Sequence, residues 1–330
     1  MIRPALKFCL WLCLLAGQLA IAETRLMSEV HFLIPAGPGG GWDGTARGIG
    51  EALQKSGLVT DLSYENLSGG GGGRAIAKLI ETAPRQDHTL LISSTPMVVR
   101  SLQGIYPQSF RDLTVIGSVI ADYTAIAVRP DSEIVSLANL TERFMADPRS
   151  VKIAGGSVRG STDHFIAARL FQLAGGDPRK VVYIPYDGGG KALAGLLTGE
   201  TEVLSSGLSE MIEMYRAGDI RILGVTAADR LADEAGIPTA REQGFDLVFA
   251  NWRGFFAAPG LPDSRYAEMV LTIESVVQTG AFERVRARNG WQTLLQTGSV
   301  FYRYLEQQEQ DIGILMREMG YLRRGYIDSR

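Results

Sequence analysis

The chain has 330 residues, of which 33 are Lys or Arg and 36 are Asp or Glu, so its formal net charge at pH 7 is −3. Hydrophobic residues make up 45% and charged residues 21%, which is typical of a globular protein and excludes a disordered, collagen-like or coiled-coil chain. The acidic balance argues against nucleic-acid binding, which needs a basic surface. The length favours two domains. Glycine, with 39 residues, is well above its average share of about 7%.

Residues 1–22 predict a secretory signal peptide. Arg3 and Lys7 give a positive start, an apolar run follows, and the segment ends in the small-residue pattern Ala-Ile-Ala. We therefore expect export to a periplasm with cleavage after Ala22. The alternative, an uncleaved membrane anchor, needs a longer uninterrupted apolar run. Both cysteines of the chain fall in this segment, so disulfides and thiolate metal sites are not expected in the exported protein.

After this segment, apolar strand patterns alternate with helical patterns. Short apolar runs predict strands, and each is followed by a loop and a helical pattern. The predicted strands are 30–34, 60–67 and 89–93, and the predicted helices are 42–55, 74–82 and one that begins near Pro96. This alternation is typical of an α/β sheet with parallel strands.

The same alternation continues after residue 110. The predicted strands are 115–128, 151–154, 181–184, 202–205, 220–226 and 251–259, and the predicted helices are 163–173, 208–217 and one that ends at Leu197. We expect residues 115–128 and 251–259 to cross between two lobes, because both segments are largely apolar. Residues 263–325 are predicted to be mostly helical.

Several predicted strands end in a Gly/Ser-rich loop that opens a helix. The first four N–H groups of a helix have no partner within it, and the helix dipole adds positive potential at the same end. Glycine lets the backbone approach a ligand closely. Because ligands bind at the carboxyl ends of strands in open α/β sheets, we expect a cleft lined by N–H donors that binds a phosphate or a carboxylate.

Enzyme signatures fit these loops poorly. The loop at 37–42 ends in Trp where the dinucleotide-binding fingerprint needs Gly, and residues 188–192 lack the Walker A spacing. The three histidines of the chain are widely separated, and no zinc-protease or EF-hand pattern is present. A serine hydrolase is left as an alternative, with a triad that uses His164 and either Ser157 or Ser161.

Four segments together resemble one protein family. They are FLIPAGPGGGWDGTAR at 32–47, GGSVRGSTDHFIAARLFQLAG at 155–175, VYIPYDGGGKALAGLLTGE at 182–200, and the stretch from GVTAADR to NWRGFFAAPGLP at 224–262. In order and spacing they are similar to motifs of the solute-binding proteins of tripartite tricarboxylate transporters, the TctC/Bug type. The GGxWD and NWRG segments point to the TctC-like branch.

The resemblance implies a fold and a function. The fold is α/β, a two-lobed, type II-like periplasmic-binding-protein fold in which each lobe is a mostly parallel sheet flanked by helices and the ligand cleft lies between the lobes. Lobe 1 would comprise residues 23–122 plus 250–330, and lobe 2 residues 123–249. A monomer without cofactor, metal or catalysis would close on a citrate-like di- or tricarboxylate. It would deliver this ligand to one large and one small integral membrane subunit.

A periplasmic sensor subunit is a second alternative, because it would bind the same metabolites and present them to the outer domain of a sensor kinase. The sequence does not separate transport from sensing.

The candidate ligand-binding residues present backbone N–H groups, hydroxyls or a charge at the ends of the predicted strands. They are Gly39, Gly40, Gly41, Asp43, Ser93, Ser94, Thr95, Gly156, Ser157, Arg159, Gly160, Ser161, Thr162, Tyr186, Gly188, Gly189 and Gly190. The resemblance implies that backbone N–H groups, hydroxyls and ordered water hold the ligand carboxylates in a charge-poor cleft. Asp43 is also in place to fix its loop by accepting N–H groups. Arg159 is expected to pair with a ligand carboxylate, and a solvated loop position is its alternative.

Overall fold

The computed structural model describes residues 26–322, so the predicted signal peptide lies outside the described residues. The strands are β1 Met27–Ile34, β2 Val59–Asn66, β3 Thr89–Ser94, β4 Thr114–Val128, β5 Lys152–Gly155, β6 Val182–Pro185, β7 Val203–Gly207, β8 Arg221–Val225, β9 Ala250–Ala257 and β10 Gln292–Thr297. The α-helices are α1 Gly41–Lys55, α2 Gly73–Glu81, α3 Pro96–Gln103, α4 Leu137–Ala146, α5 Thr162–Leu173, α6 Gly189–Leu197, α7 Ile212–Ala217, α8 Asp263–Val276, α9 Gly280–Asn289 and α10 Gly298–Glu318.

Short 3-10 helices complete the secondary structure. They are Gly70–Gly72, Ala83–Arg85, Phe110–Asp112, Pro148–Ser150, Pro178–Lys180, Leu208–Glu210, Ala232–Glu234 and Arg241–Gln243. Within residues 26–322, no helix combines the length and the apolar character needed to cross a membrane.

The strands form one sheet in the order β2-β1-β3-β9-β4-β7-β5-β6, and β8 and β10 each also pair with β4. Strand β1 pairs in parallel with β2 and β3, and β5 pairs in parallel with β6 and β7. The pairings that involve β4 or β9 are antiparallel. The α/β prediction is confirmed, and parallel pairing is confined to the two outer groups. The pairing of β4 with β9 is antiparallel because β4 leaves the first half of the sheet and β9 returns to it, so the two strands run in opposite directions.

Strand β4 joins the two halves of the sheet. Its residues 114–123 pair with β9, whereas residues 124–128 pair with β7 and β8. Apart from Thr114 and Tyr123, every residue of β4 is buried, as a long apolar run predicts. The changes of partner lie next to the boundaries expected at 122/123 and 249/250, and those lobe boundaries stay a prediction.

The expectation of mostly helical structure over 263–325 agrees with α8, α9 and α10, and the exception among the described residues is β10. This strand pairs antiparallel with β4, with an irregular register between Thr293 and Gln296. The hydroxyl of Ser118 on β4 donates to the carbonyl of Leu294 at 2.7 Å. Because most side chains of β10 are only half-buried, its stability comes from pairing with a distant strand, which a local pattern does not reveal.

The crossing strands are held by an aromatic cluster. Trp252 of β9 is fully buried, and its ring lies 5.2 Å from that of Phe301 on α10 in an edge-to-face arrangement. Phe256 follows Trp252 by four residues on β9. Its ring lies 6.1 Å from that of Trp252 and 5.9 Å from that of Phe301. Trp252 is therefore a packing residue, and the C-terminal helix packs against the strands that connect the two halves.

Candidate functional site

A cavity of about 420 Å³ lies between the two halves of the sheet. The loops that follow β1, β2, β5 and β6 line it, together with the side chains of Ser94, Arg100, Asp163, Glu210, Asn251 and Arg253. Its volume is in the range of sites for small ligands. The strand-end loops that the sequence singles out therefore meet at one place.

The candidate residues divide into two groups. Those that line the cavity are Gly40, Gly41, Ser94, Gly156, Ser157, Thr162, Tyr186 and Gly188. Those that lie outside its lining are Gly39, Asp43, Ser93, Thr95, Arg159, Gly160, Ser161, Gly189 and Gly190. The cavity also contains more charged side chains than the charge-poor cleft implied by the resemblance. A ligand contact by any of these residues stays a prediction.

The two sides of the cavity touch each other. A Cβ atom on Gly40 would lie 3.8 Å from the Cα of Gly188, so the loop after β1 lies against the loop after β6. On another side, the side-chain amide of Gln103 donates to the carbonyl of Gly160 at 2.8 Å. Helix α3 is thereby joined to the loop after β5.

Asp43 shapes the loop after β1. One of its carboxylate oxygens accepts from the N–H of Gly39 at 3.0 Å, and the other accepts from Asn66 at 3.0 Å and Arg47 at 2.9 Å. Burial alone would raise the pKa of Asp43, but these hydrogen bonds hold the pKa below its usual value. Of the two roles considered for Asp43, the structure shows the loop-fixing one.

Arg100 is a buried cation in the cavity wall. It lies on the apolar helix α3, is 5% exposed, and donates to the carbonyl of Gly71. Its guanidinium lies 5.8 Å from the ring centroid of Trp42, whose indole N–H donates to Ser94 at 2.8 Å. The Nε atom of Arg100 has no hydrogen-bond partner, and no carboxylate within residues 26–322 forms an ion pair with it. Burial lowers the pKa of Arg100, yet an arginine stays charged.

A second buried arginine forms the floor of the cavity. Arg253 of β9 pairs with Asp122 of β4, and both side chains are almost fully buried. Arg253 also donates to the carbonyl of Gly41 and, at 2.8 Å, to the hydroxyl of Thr45. Asp122 accepts from the N–H and the hydroxyl of Ser209 at 3.2 and 2.7 Å. The start of α1 is thus connected to the turn after β7 through the two crossing strands.

Two acidic side chains, Asp163 and Glu210, also line the cavity. The hydroxyl of Ser157 donates to Asp163 at 2.9 Å, and the hydroxyl of Ser206 donates to Glu210. Neither carboxyl group has an ion-pair partner in the described part of the chain. Burial, and second the charge of Glu210, raise the pKa of Asp163 to about 7. The cations of the cavity wall therefore come from α3 and β9, and the acids come from α5 and the turn after β7.

Arg159 does not reach the cavity. Its side chain is exposed and donates to the carbonyl of Tyr183 at 2.7 Å. Of the two positions considered for Arg159, this one fits the solvated loop arginine, because its guanidinium already has a backbone acceptor.

The geometry gives no support to a hydrolase or a metal site. The hydroxyl of Ser157 contacts Asp163 and Tyr183, and Nδ1 of His164 accepts from the N–H of Gly160 at 2.9 Å. Within residues 26–322, neither Ser157 nor Ser161 hydrogen-bonds to His164, as an activated nucleophile requires. In the same range, no group of three or more His, Cys, Asp or Glu residues is placed to hold a metal ion.

Glycine and serine patterns do not reveal the charged residues of the cavity. Arg100 and Arg253 are single basic residues in the apolar segments PMVVRSLQ and NWRGFF, and Asp122 is a single acid in VIADYTAIAV. A lone charge in an apolar run is itself a signal, since a buried charge needs a partner. Glu210 has no comparable signal, because its segment is polar.

The fold is the two-lobed, type II-like fold of periplasmic binding proteins, with the cavity between the two halves of the sheet. Residues 46–321 match the family model described as "Tripartite tricarboxylate transporter family receptor", and the chain belongs to this family. The resemblance to the TctC/Bug type, carried by the glycine-rich segments, is thereby confirmed, and the family is one of solute receptors.

Individual relatives agree with this family. The chain is 27% identical to Protein BugT of Bordetella pertussis over 304 residues, which cover 91% of each chain. Its fold is similar to that of MatC from Rhodopseudomonas palustris, solved with bound malate, with a TM-score of 0.77, 19% identity, and coverage of 88% of this chain and 98% of that one. Another R. palustris protein, solved with adipate, gives a TM-score of 0.78, 20% identity, and coverage of 89% and 97%.

Proposed function

We propose that the protein is a periplasmic receptor that captures a di- or tricarboxylate by closing its two lobes on it. It then delivers the ligand to the large and small membrane subunits of a tripartite tricarboxylate transporter. The family description supports the transporter, and the malate and adipate in two structures of similar fold support a dicarboxylate. Citrate-like ligands stay within the proposed class. Export by a leader cleaved after Ala22 and a monomeric receptor belong to the same proposal.

One observation carries the proposal: buried donors line the cavity without a protein partner. They include Nε of Arg100, Nε of Arg253 and the hydroxyls of Thr162 and Tyr186. Buried polar groups are nearly always hydrogen-bonded, and leaving one unpaired costs about 1–3 kcal/mol. A carboxylate accepts several hydrogen bonds, and those from guanidinium are charge-assisted. A bound dicarboxylate therefore supplies acceptors for the two guanidinium donors.

Arg100 is the counter-charge of the ligand in this proposal. Arg253 is already balanced by Asp122. Within residues 26–322, by contrast, Arg100 forms no ion pair and contacts the carbonyl of Gly71 and the face of Trp42. The N-terminus of α1, which begins at Gly41 in the lining, adds donors and positive potential.

Calorimetric titration of the purified protein tests the proposal. The panel is citrate, isocitrate, malate, succinate, adipate and glutamate, with sugars and nucleotides as negative controls. Arg100→Gln is expected to weaken binding about 10- to 100-fold, since a hydrogen bond to a charged group contributes about 1.5–3 kcal/mol. The matched control, Arg230→Gln on the surface, is expected to change affinity less than threefold.

Two results would contradict the proposal. Absence of binding by every carboxylate would overturn the receptor function as stated. A large loss of affinity in Arg159→Gln, with none in Arg100→Gln, would return the role of counter-charge to Arg159. The melting temperature of each variant shows whether it is folded before its affinity is compared.

A further inference from the structure

The cavity is asymmetric in charge. Arg100 and Nε of Arg253 line it from α3 and β9, whereas Asp163 and Glu210 line it from α5 and the turn after β7. We propose that this asymmetry selects a dicarboxylate that also carries a hydrogen-bond donor, a hydroxyl or an ammonium group, and that Asp163 and Glu210 accept that donor. The inference rests on the proposed function, and it names the ligand class of the same site.

Glu210 lies beside a helix start that the sequence suggests for the ligand. Its carboxylate lies against Gly189, the first residue of α6, where a Cβ atom would lie 2.8 Å from Oε1 and overlap Oε2. The positive end of the helix dipole favours an anion there. The carboxylate of Glu210 therefore lies beside the start of α6, the helix end at which a carboxylate of the ligand was expected.

Asp163 adds a second acceptor beside the first. It lies in the first turn of α5, and its carboxyl accepts from Ser157. The charge of Glu210 acts on Asp163 strongly enough to be the second cause of its raised pKa. Thr162, the preceding residue, is 2% exposed and lines the cavity with an unpartnered hydroxyl. Thr162, Asp163 and Glu210 thus give the cavity a polar surface, and none of the three carries a positive charge.

The two acids restrict what can bind. A ligand carboxylate placed beside Glu210 would meet like charge at short range in a desolvated site, which is costly. A hydroxyl or ammonium group placed there would donate to a carboxyl group whose hydrogen bonds within residues 26–322 come from uncharged donors, the hydroxyls of Ser157 and Ser206. Both carboxylates of the ligand therefore lie toward Arg100 and the start of α1, and the donor lies toward Glu210.

Three four-carbon dicarboxylates isolate this contribution, because they differ in one substituent. Succinate carries no donor, malate carries a hydroxyl, and aspartate carries an ammonium group. A site that hydrogen-bonds a ligand group rejects the analogue without it far more strongly than it rejects a missing methylene. Titration of the wild-type protein at one pH and ionic strength is expected to show malate or aspartate binding at least tenfold more tightly than succinate.

The outcomes separate the inference from the proposed function. Tighter binding of malate assigns the donor as a hydroxyl, and tighter binding of aspartate assigns it as an ammonium group. Succinate binding as tightly as both would overturn the inference and leave the receptor function standing. Absence of binding by every di- and tricarboxylate would overturn both.

Glu210→Gln tests the residue itself. Glutamine keeps an oxygen that accepts from Ser206 and removes the charge, so the preference over succinate is expected to fall below threefold. The control is Glu213→Gln, an exposed acid that pairs with Arg216 at 3.2 Å, and it is expected to leave the preference unchanged. A Glu210→Gln variant that is folded and binds all three ligands more weakly by one common factor would overturn the selective role.

Discussion

Arg253 and Asp122 form a buried ion pair between two antiparallel strands where both strands cross beneath the cavity. The pair is not isolated, because Arg253 holds the start of α1 through Gly41 and Asp122 holds Ser209 in the turn after β7. A buried charge pair with these additional hydrogen bonds connects both halves of the molecule to the crossing strands.

Asp122→Asn is expected to lower the free energy of unfolding by about 3–5 kcal/mol, because it leaves the charge of Arg253 buried and uncompensated. Denaturant unfolding of the ligand-free protein measures this loss. Glu268→Gln is the control, since it breaks an exposed pair with Arg265 at 2.6 Å and should change stability by less than about 1 kcal/mol. A loss in Asp122→Asn no larger than in this control would show that the pair has little part in stability.

Asp163 and His164 have opposite effects on the pH dependence of stability. Burial, and second the charge of Glu210, raise the pKa of Asp163 to about 7, while burial, and second the charge of Arg159, lower the pKa of His164 to about 4. Between about pH 4 and 7 the folded state keeps a proton on Asp163 that the unfolded state has lost, so stability falls as pH rises. Between about pH 4 and 6.5 the folded state lacks a proton that the unfolded state carries on His164, so stability rises with pH.

In the wild-type protein, the contributions of Asp163 and His164 to the pH dependence of the free energy of unfolding nearly cancel from pH 4.5 to 6.5. Substitution of either residue leaves the contribution of the other. In Asp163→Asn, the free energy of unfolding should rise with pH relative to the wild type, by up to about 1.4 kcal/mol per pH unit. In His164→Asn it should fall by a similar amount. Denaturant titrations at half-unit pH steps measure both slopes, and profiles parallel to that of the wild type would contradict the pKa shifts.

Gln103 connects α3 to the loop after β5 through its 2.8 Å hydrogen bond to the carbonyl of Gly160. If this bond forms on closure, Gln103→Ala should weaken ligand affinity about 2- to 10-fold, the effect of one hydrogen bond, and leave the melting temperature of the ligand-free protein unchanged. Gln307→Ala, which removes an exposed bond to Asp311 on α10, is the control. A lower melting temperature of ligand-free Gln103→Ala than of the ligand-free wild type would show that the contact exists in the open form as well.

Gly189 and Gly190 are neighbours with different surroundings. A Cβ atom on Gly189 would overlap the carboxylate of Glu210, whereas one on Gly190 would meet no atom closer than the carbonyl of Gly39 at 3.8 Å. Gly189→Ala should therefore destabilise the protein by about 1–3 kcal/mol, and Gly190→Ala should be neutral or slightly stabilising, because alanine favours a helix. Thermal unfolding of the two variants compares them directly, and equal effects would contradict the position of Glu210.

The strand-end loops could be predicted from the sequence because their signals are local. Glycine, serine and an apolar run within ten residues are enough to place the loops after β1 and β5, and these loops do line the cavity. The surroundings of the glycines could not be predicted. Four of them make room for charged side chains of the protein, namely Gly41 for Arg253, Gly71 for Arg100, Gly189 for Glu210 and Gly207 for Asp122.

Such pairs come from distant parts of the chain, and no local pattern encodes their approach. Gly41 and Arg253 meet only because β9 inserts beside β4, as a bond between residues 212 positions apart shows. The antiparallel direction of the crossing strands and the strand β10 depend on tertiary pairing in the same way.

The position of β9 also imposes an order on folding. This strand lies between β3 and β4, so the first half of the sheet lacks a central strand until residues 250–257 have emerged. Strands β5 to β8 are made earlier and can pair with the end of β4 without it. When the chain emerges from its N-terminus, strands β1 to β3 are made first but complete their sheet last, because they wait for β9. Until β9 arrives, these strands stay accessible to binding factors that recognise unfolded chains.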